Sequence, residues 1–269
     1  MSPQPPQLLN DVMALAQQAG QAIMEVYGKE IDVTRKDDYS PLTQADLAAH
    51  NIIEAGLARL GTGWPVLSEE STAVDFSQRR YWNPYWLVDP LDGTREFIKR
   101  NGEFTVNIAL IEHHRPVMGV VYAPALDLWY FATSGYGAYR RQGSEASLPI
   151  HVRAFDRSRI VVAGSRSHGG SNMTRFLRQV GPHTLISLGS SLKICLVAEG
   201  RADVYPRLGP TSEWDTAAAQ CVLEEAGGRL VDINGDTFRY NLQPSLLNPC
   251  FFASGAANHD WAQYLDDKT

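Results

Sequence analysis

Asp89 and Asp92 stand three residues apart in Trp86-Leu87-Val88-Asp89-Pro90-Leu91-Asp92-Gly93-Thr94-Arg95-Glu96-Phe97, directly after an apolar run. Trp86 to Val88 reads as a buried strand. Pro90 fixes the turn that follows, so both carboxylates can face one point. Carboxylates that converge repel each other unless cations lie between them, and hard oxygen donors suit Mg²⁺. Gly93 lets the backbone come close. The amides of Gly93 and Thr94 sit where a short helix through Lys99 begins, which suits an anion. Metal with phosphate is the chemistry this order of residues serves. Taken alone, Asp-Gly-Thr is more often a simple turn, with Asp92 capping the helix after it. The flanking Asp89-Pro90-Leu91 and carboxylates elsewhere in the chain reverse that preference.

Those other carboxylates are Asp46, Glu69, Glu70 and Asp215. Trp64 to Leu67 predicts a short strand ending in Ser68-Glu69-Glu70. A second strand end, carrying Asp89, follows within about twenty residues, and two adjacent strands ending in acids build a site at one sheet edge. Thr43 and Asp46 fit a capping box for a helix running to Leu60, with Gly61 as its stop. Glu213-Trp214-Asp215-Thr216-Ala217 sets Asp215 at the head of an Ala-rich helix. There it serves as an N-cap, as a metal ligand, or as both.

The elements that must position these residues fall into two groups. Apolar spacing predicts a helix from Leu8 to Tyr27, ended by Gly28. After the acidic motif, runs at 104–111, 117–122, 128–132 and 137–140 are separated by turn signals and predict an antiparallel meander. Polar residues 142–150 mark a boundary, giving residues 1–148 as an α+β part and 149–269 as an α/β part. In the second part strands at 160–163, 185–188, 202–205 and 229–233 alternate with helices at 172–180, 190–198 and 215–226.

Composition narrows the partners. The chain has 269 residues, 44% hydrophobic and 20% charged, with a net charge of −6. No basic tract is present to neutralise a nucleic-acid backbone. An acidic protein that handles an anion must rely on metals and a few placed cations. Cys195, Cys221 and Cys250 are widely spaced and odd in number. They predict reduced thiols in a cytoplasmic protein, leaving peripheral attachment to the inner membrane's cytoplasmic face open. The N-terminus lacks the pattern of a signal peptide, and no apolar run reaches membrane-spanning length. Oligomeric state is not legible.

Glu69-Glu70, Asp89-Pro90-Leu91-Asp92-Gly93-Thr94 and Trp214-Asp215 resemble the three signatures of Mg²⁺-dependent, lithium-sensitive phosphatases of the inositol monophosphatase superfamily. LVDPLDGTREFIKRNGEFTVNIAL, SLGSSLKICLVAEGRADVYPR and GPTSEWDTAAA are similar to one branch of it, the CysQ-type 3′(2′),5′-bisphosphate nucleotidases. The resemblance runs from about residue 8 to about residue 255. It implies an αβαβα sandwich with the site between two parts. It also implies hydrolysis of 3′-phosphoadenosine 5′-phosphate to AMP and phosphate, which recycles a by-product of sulfate assimilation. By position, Glu69, Asp89 and the Leu91 carbonyl would hold one Mg²⁺. Asp89, Asp92 and Asp215 would hold a second, and a weaker third would sit near Glu69. Thr94, polarised by Asp46, would help deprotonate the attacking water. Gly93 would line the substrate, and His168, Ser190, Lys193 and Arg207 would hold the nucleotide's other phosphate.

Other classes fit less well. An aspartyl-phosphate phosphatase spaces its two acids one residue closer than Asp89 and Asp92. A serine hydrolase built on Ser190-x-x-Lys193 lacks the accompanying Ser-Asp-Asn and Lys-Thr-Gly. A non-catalytic phosphate sensor would not need every expected ligand to be present. An inositol-phosphate or sugar-phosphate phosphatase of the same superfamily stays as the alternative.

Overall fold

The structure, a computed structural model, describes residues 6–29, 41–71, 74–166, 170–255 and 259–265. Helix α1 (Gln7–Tyr27) places Val12, Ala16, Ala19 and Ile23 on one buried stripe, and Gly28 follows it. Helix α2 (Pro41–Arg59) pairs with it. Because α2 begins at Pro41, Thr43 lies inside its first turn and not at the N-cap position the sequence suggests. Proline suits a first turn, where its missing N–H would have had no partner. The polar loop expected at 36–41 falls almost wholly outside the described residues.

The first sheet runs in spatial order from β1 (Val66–Ser68) and β2 (Tyr85–Asp92) to β3 (Thr105–Glu112) and β4 (Arg115–Ala123). It continues through β5 (Leu128–Thr133) and β6 (Gly137–Gln142) to β7 (Leu148–Pro149). β1 and β2 are parallel and the remaining neighbours antiparallel. Short α3 (Phe76–Arg79) precedes β2, and α4 (Thr94–Ile98) follows it. β4 starts two residues earlier than its pattern suggests. His113 and His114 both take positive φ (48° and 64°), which suits a tight hairpin, and Pro116 falls at a bulge where the ladder tolerates it.

The second sheet has the order β11-β12-β10-β8-β9. Its strands are β8 (Val161–Ser165), β9 (Thr184–Leu188), β10 (Val204–Arg207), β11 (Arg229–Asp232) and β12 (Phe251–Ser254). Helices α5 (Ser171–Val180), α6 (Leu192–Ala198) and α7 (Ala217–Glu225) interleave with them. β12 carries only four residues between Asn248-Pro249 and Gly255, too few for a period-two pattern to stand out.

Alternation along β2 shows how the layers form. Trp86 and Val88 join α1 and α2 in one core, while Tyr85 and Leu87 face α6 and α7 in another. A third core, with Val162, Phe176, Phe252 and Trp261, joins the outer face of the second sheet to α5 and the turn Trp261–Tyr264. The layers are therefore helices, sheet, helices, sheet, helices. The middle layer is thin, because α7 opens with Ala217, Ala218 and Ala219. A Cβ added at Gly119 of β4 would lie 2.2 Å from the Ala218 carbonyl oxygen. No helix among the described residues is long and apolar enough to cross a membrane. Cys195 and Cys221 are buried, Cys250 is partly exposed, and all three are free.

Candidate metal centre and active site

Parallel pairing sets Ser68 opposite Val88, so the next residues, Glu69 and Asp89, emerge at the same end of the sheet. Asp89 is 1% exposed, and its Oδ1 accepts the Leu91 amide at 3.0 Å. The expected turn at Pro90 is instead an irregular strand end, since β2 continues to Asp92 with a register shift after Asp89. Proline cannot donate to the ladder, so an irregularity there costs little. Gly93 then takes a φ of 96° and caps α4. A Cβ on it would meet Glu103 O and Phe104 Cα at 3.2 Å, so both conformation and space require glycine.

Asp215 arrives from the second sheet's side. It ends a 3₁₀ turn, Glu213–Asp215, whose capping box it closes by accepting the Ser212 amide at 2.9 Å. Thr216, not Asp215, caps α7. One carboxylate oxygen from each of Asp89, Asp92 and Asp215 lies within 4.8 Å of the others. Glu69 adjoins them, hydrogen-bonded to Asp89 and to Trp214.

Burial and mutual repulsion make this group proton-hungry. Asp89 is pushed well above the usual carboxylate range by burial, then by Asp92 and Glu69. Asp215 rises to about 7 by burial and then Asp92, with the Ser212 amide opposing. Glu69 rises through burial and then Asp92. Asp46, on α2, rises to about 8 through burial, Glu70 and Glu69, and shares a hydrogen bond with Glu70. Its Oδ1 is buried with no partner. Among the described hydrogen bonds none joins Asp46 to Thr94, which is exposed at the first position of α4. An all-oxygen acidic set that repels itself fits a hard divalent cation.

Polar residues inside strands and caps hold these acids in place. Asp92 Oδ2 accepts the Ser191 amide at 2.6 Å, and the Ser191 hydroxyl lies 2.8 Å from the same oxygen and 2.8 Å from the Asp215 carbonyl. Asn107 Nδ2 donates to Ser191 Oγ at 2.8 Å, and Thr105 lies beside Asp92. Sequence reasoning missed these three residues. The available signal was two polar side chains at alternate positions of β3, an otherwise apolar strand.

A cavity of about 270 Å³ opens onto the acids. It is lined by Glu69, Asp89, Leu91, Asp92, Gly93, Thr94 and Asp215 on one side and by Ser190, Lys193, Tyr205 and Arg207 on the other. Lys193 is buried. Its ammonium donates to the Ser190 carbonyl and sits 5.3 Å from the Tyr205 ring centroid. Burial lowers its pKa to about 8, with Arg207 adding to the fall and Asp92 opposing it. Arg207 donates to the Pro210 carbonyl at 2.6 Å, leaving a buried Nε without a partner. Ser190 holds a positive φ of 49°, and its Oγ is buried and unpartnered. Asp46 lies off the cavity wall, behind Glu69 and Glu70. His168 lies outside the described residues.

Similarity to known proteins extends over nearly the whole chain. The inositol monophosphatase family matches residues 6–263. The 3′(2′),5′-bisphosphate nucleotidase CysQ of Salmonella typhimurium (strain LT2) is 50% identical over 246 residues, 91% of this chain and 98% of that one. That of Escherichia coli (strain K12) is 48% identical over 249 residues, 92% of this chain and 99% of that one. Among solved structures, CysQ from Bacteroides thetaiotaomicron superposes with a TM-score of 0.82 at 42% identity, covering 94% of this chain and 99% of that one. The chain belongs to the inositol monophosphatase family, whose members are metal-dependent phosphatases.

Proposed function

We propose that this chain is a Mg²⁺-dependent 3′(2′),5′-bisphosphate nucleotidase that hydrolyses 3′-phosphoadenosine 5′-phosphate to AMP and phosphate. The observation that carries this reading is one cavity with two unlike walls. Glu69, Asp89 and Asp92 from the first sheet's strand ends, joined by Asp215, face buried Lys193 of α6 and Arg207 at the end of β10. Nearly full-length relatives at 48–50% identity with that activity in their names support it. With the chain divided at 148/149, as we propose, four acids come from the first part, while Asp215 and both cations come from the second.

Glu69, Asp89 and the Leu91 carbonyl would hold one Mg²⁺, and Asp89, Asp92 and Asp215 another, with a third near Glu69. When bound, such ions supply positive charge to the reacting phosphoryl group and acidify water. The chain's own groups do the rest. Thr94, polarised by Asp46, would help deprotonate the attacking water, and the Asp46 Oδ1 that is buried without a partner supports that role. Water oxygen bonds to phosphorus as the bond to the 3′ oxygen breaks. That oxygen takes a proton and AMP remains. Lys193 and Arg207 grip the 5′-phosphate, and arginine's planar fork suits two of its oxygens. A second hollow of about 380 Å³, sharing Arg95, Ser165, Tyr205 and Arg207 with the first, gives room for the rest of a nucleotide.

The test is phosphate release measured side by side on 3′-phosphoadenosine 5′-phosphate, inositol 1-phosphate and fructose 1,6-bisphosphate. The nucleotide should lead in kcat/KM. A lead for either of the others moves the assignment to the inositol- or sugar-phosphate branch.

A further inference from the structure

Glu103 precedes β3 and lies off the cavity wall, yet its carboxylate grips the second sheet at two places. Oε1 accepts Arg166 Nη2 at 2.6 Å, and Oε2 accepts Arg166 Nε at 2.8 Å. Oε2 also accepts the Gly189 amide at 2.9 Å. Arg166 in turn donates from Nη2 to the Ser187 carbonyl at 2.9 Å and from its amide to the Leu188 carbonyl at 3.2 Å. One acid at the edge of the first sheet thus binds the ends of both β8 and β9. Seating is tight: a Cβ on Gly189 would fall 2.5 Å from Glu96 Cγ and 2.6 Å from the Glu103 carbonyl oxygen.

Gly189 leads directly into Ser190, Ser191 and α6, which carries Lys193. Fixing Gly189 on one side and Ser191 against Asp92 on the other leaves the intervening Ser190 no slack, and it adopts a positive φ. Its carbonyl then receives the Lys193 ammonium. Three of the acids that would meet one phosphate, Glu69, Asp89 and Asp92, stand at strand ends of the first sheet. The cations that would meet the other ride on elements anchored by this clasp. Charge-assisted bidentate pairs hold geometry as well as energy.

We propose that the Glu103–Arg166 clasp sets the span between the acidic cluster and the Lys193–Arg207 pair, and thereby the preference for substrates bearing two phosphates. This rests on the bisphosphate reading above. Glu103 and Arg166 are positioning residues, since neither touches the cavity. Loosening the clasp misplaces the second phosphate's grip while leaving the reacting centre intact.

The experiment measures kcat and KM for 3′-phosphoadenosine 5′-phosphate and for 3′-AMP in wild type, Glu103→Gln, Arg166→Gln and Arg166→Lys, with thermal unfolding alongside. In the Gln variants KM for the bisphosphate should rise about five- to tenfold, with kcat on both substrates and KM for 3′-AMP within about twofold. Arg166→Lys keeps the charge but loses the fork, and should fall between. Should Glu103→Gln fail to fold, Arg166→Gln decides the matter, because Arg166 is partly exposed and Glu103 keeps the Gly189 amide. A lowered melting temperature with an unchanged bisphosphate-to-monophosphate ratio makes the clasp merely structural and overturns the proposal. A wild type without preference for the bisphosphate removes the nucleotidase reading itself, and the selectivity role with it.

Discussion

The Ser191 amide donates to Asp92 Oδ2 at 2.6 Å, so the residue that caps α6 is bound to the acid that ends β2, 99 positions earlier. The Ser191 hydroxyl reaches the same oxygen and the Asp215 carbonyl, and also serves Asn107. Ser191→Ala keeps the amide bond and leaves Asn107 Nδ2 only its longer contact with Asp92 Oδ2, at 3.5 Å. Stability should fall by about 1–2 kcal/mol, and kcat/KM by roughly tenfold as Asp92 and Asp215 lose their common tether. Steady-state kinetics and thermal melts check both numbers. Unaltered kinetics would show that the amide alone suffices.

Asp92→Asn and Asp215→Asn should each abolish turnover while the fold survives. Asp92 raises the pKa of Asp89, Glu69 and Asp215, so its charge works against the metal-free fold. The metal-free melting temperature of Asp92→Asn should equal or exceed that of wild type. Near-normal activity of either variant at saturating Mg²⁺ contradicts the ligand assignment.

Metal-free stability should depend on pH in a fixed direction. Asp46, Glu69, Asp89 and Asp215 all have folded pKa values above their unfolded ones. Between those limits the native state holds more protons than the unfolded chain, so stability falls as pH rises. It is greatest near the ordinary carboxylate pKa of about 4. It declines through about 7 and about 8, where Asp215 and Asp46 give up their protons. Melts in excess chelator from pH 5 to 8.5 should trend downward, and added Mg²⁺ should flatten them. A rise with pH in chelator would refute the repulsion.

Chelation should remove activity, and Li⁺ should inhibit at concentrations where Na⁺ does not. A small monovalent ion can enter a carboxylate site without supplying the charge of a divalent one. Equal responses to the two alkali ions, read from initial rates, count against the cluster as the catalytic metal site.

Arg207→Ala should damage the bisphosphate far more than a monophosphate. A charge-assisted contact of about 1.5–3 kcal/mol corresponds to a loss of roughly ten- to hundredfold in kcat/KM. The readout is kcat/KM for 3′-phosphoadenosine 5′-phosphate over that for 3′-AMP, in wild type and variant. A constant ratio reduces Arg207 to a structural charge and favours the alternative substrates.

Legibility in the sequence followed the range of the interaction. Period-two and helical spacing are local, so α1, the β3–β6 meander and the alternating second half were readable from it. Adjacent strand ends carrying Glu69 and Asp89 were readable for the same reason. Asp215 was placed at a helix head, but the intervening 3₁₀ turn and its own capping box with Ser212 depend on geometry that composition does not encode. Asn107, Ser191 and Glu103 act on partners 84, 99 and 63 positions away, which no window of sequence connects. The same holds for Arg79, buried under the 241–244 segment that steadies Glu213.

The contact between Gly119 and Ala218 bears on how the centre could change over time. Most helices rest on a sheet through side chains, which repack and absorb small errors of position. Here backbone meets backbone, so β4 supports the head of α7, and with it Asp215, through a joint that has no compliance. A methyl group at position 119 could not be accommodated by a rotamer change, and the whole helix would have to lift. A substitution wholly remote from the chemistry would therefore register as a misaligned ligand. Drift in the metal centre is held in check by a residue with no side chain at all.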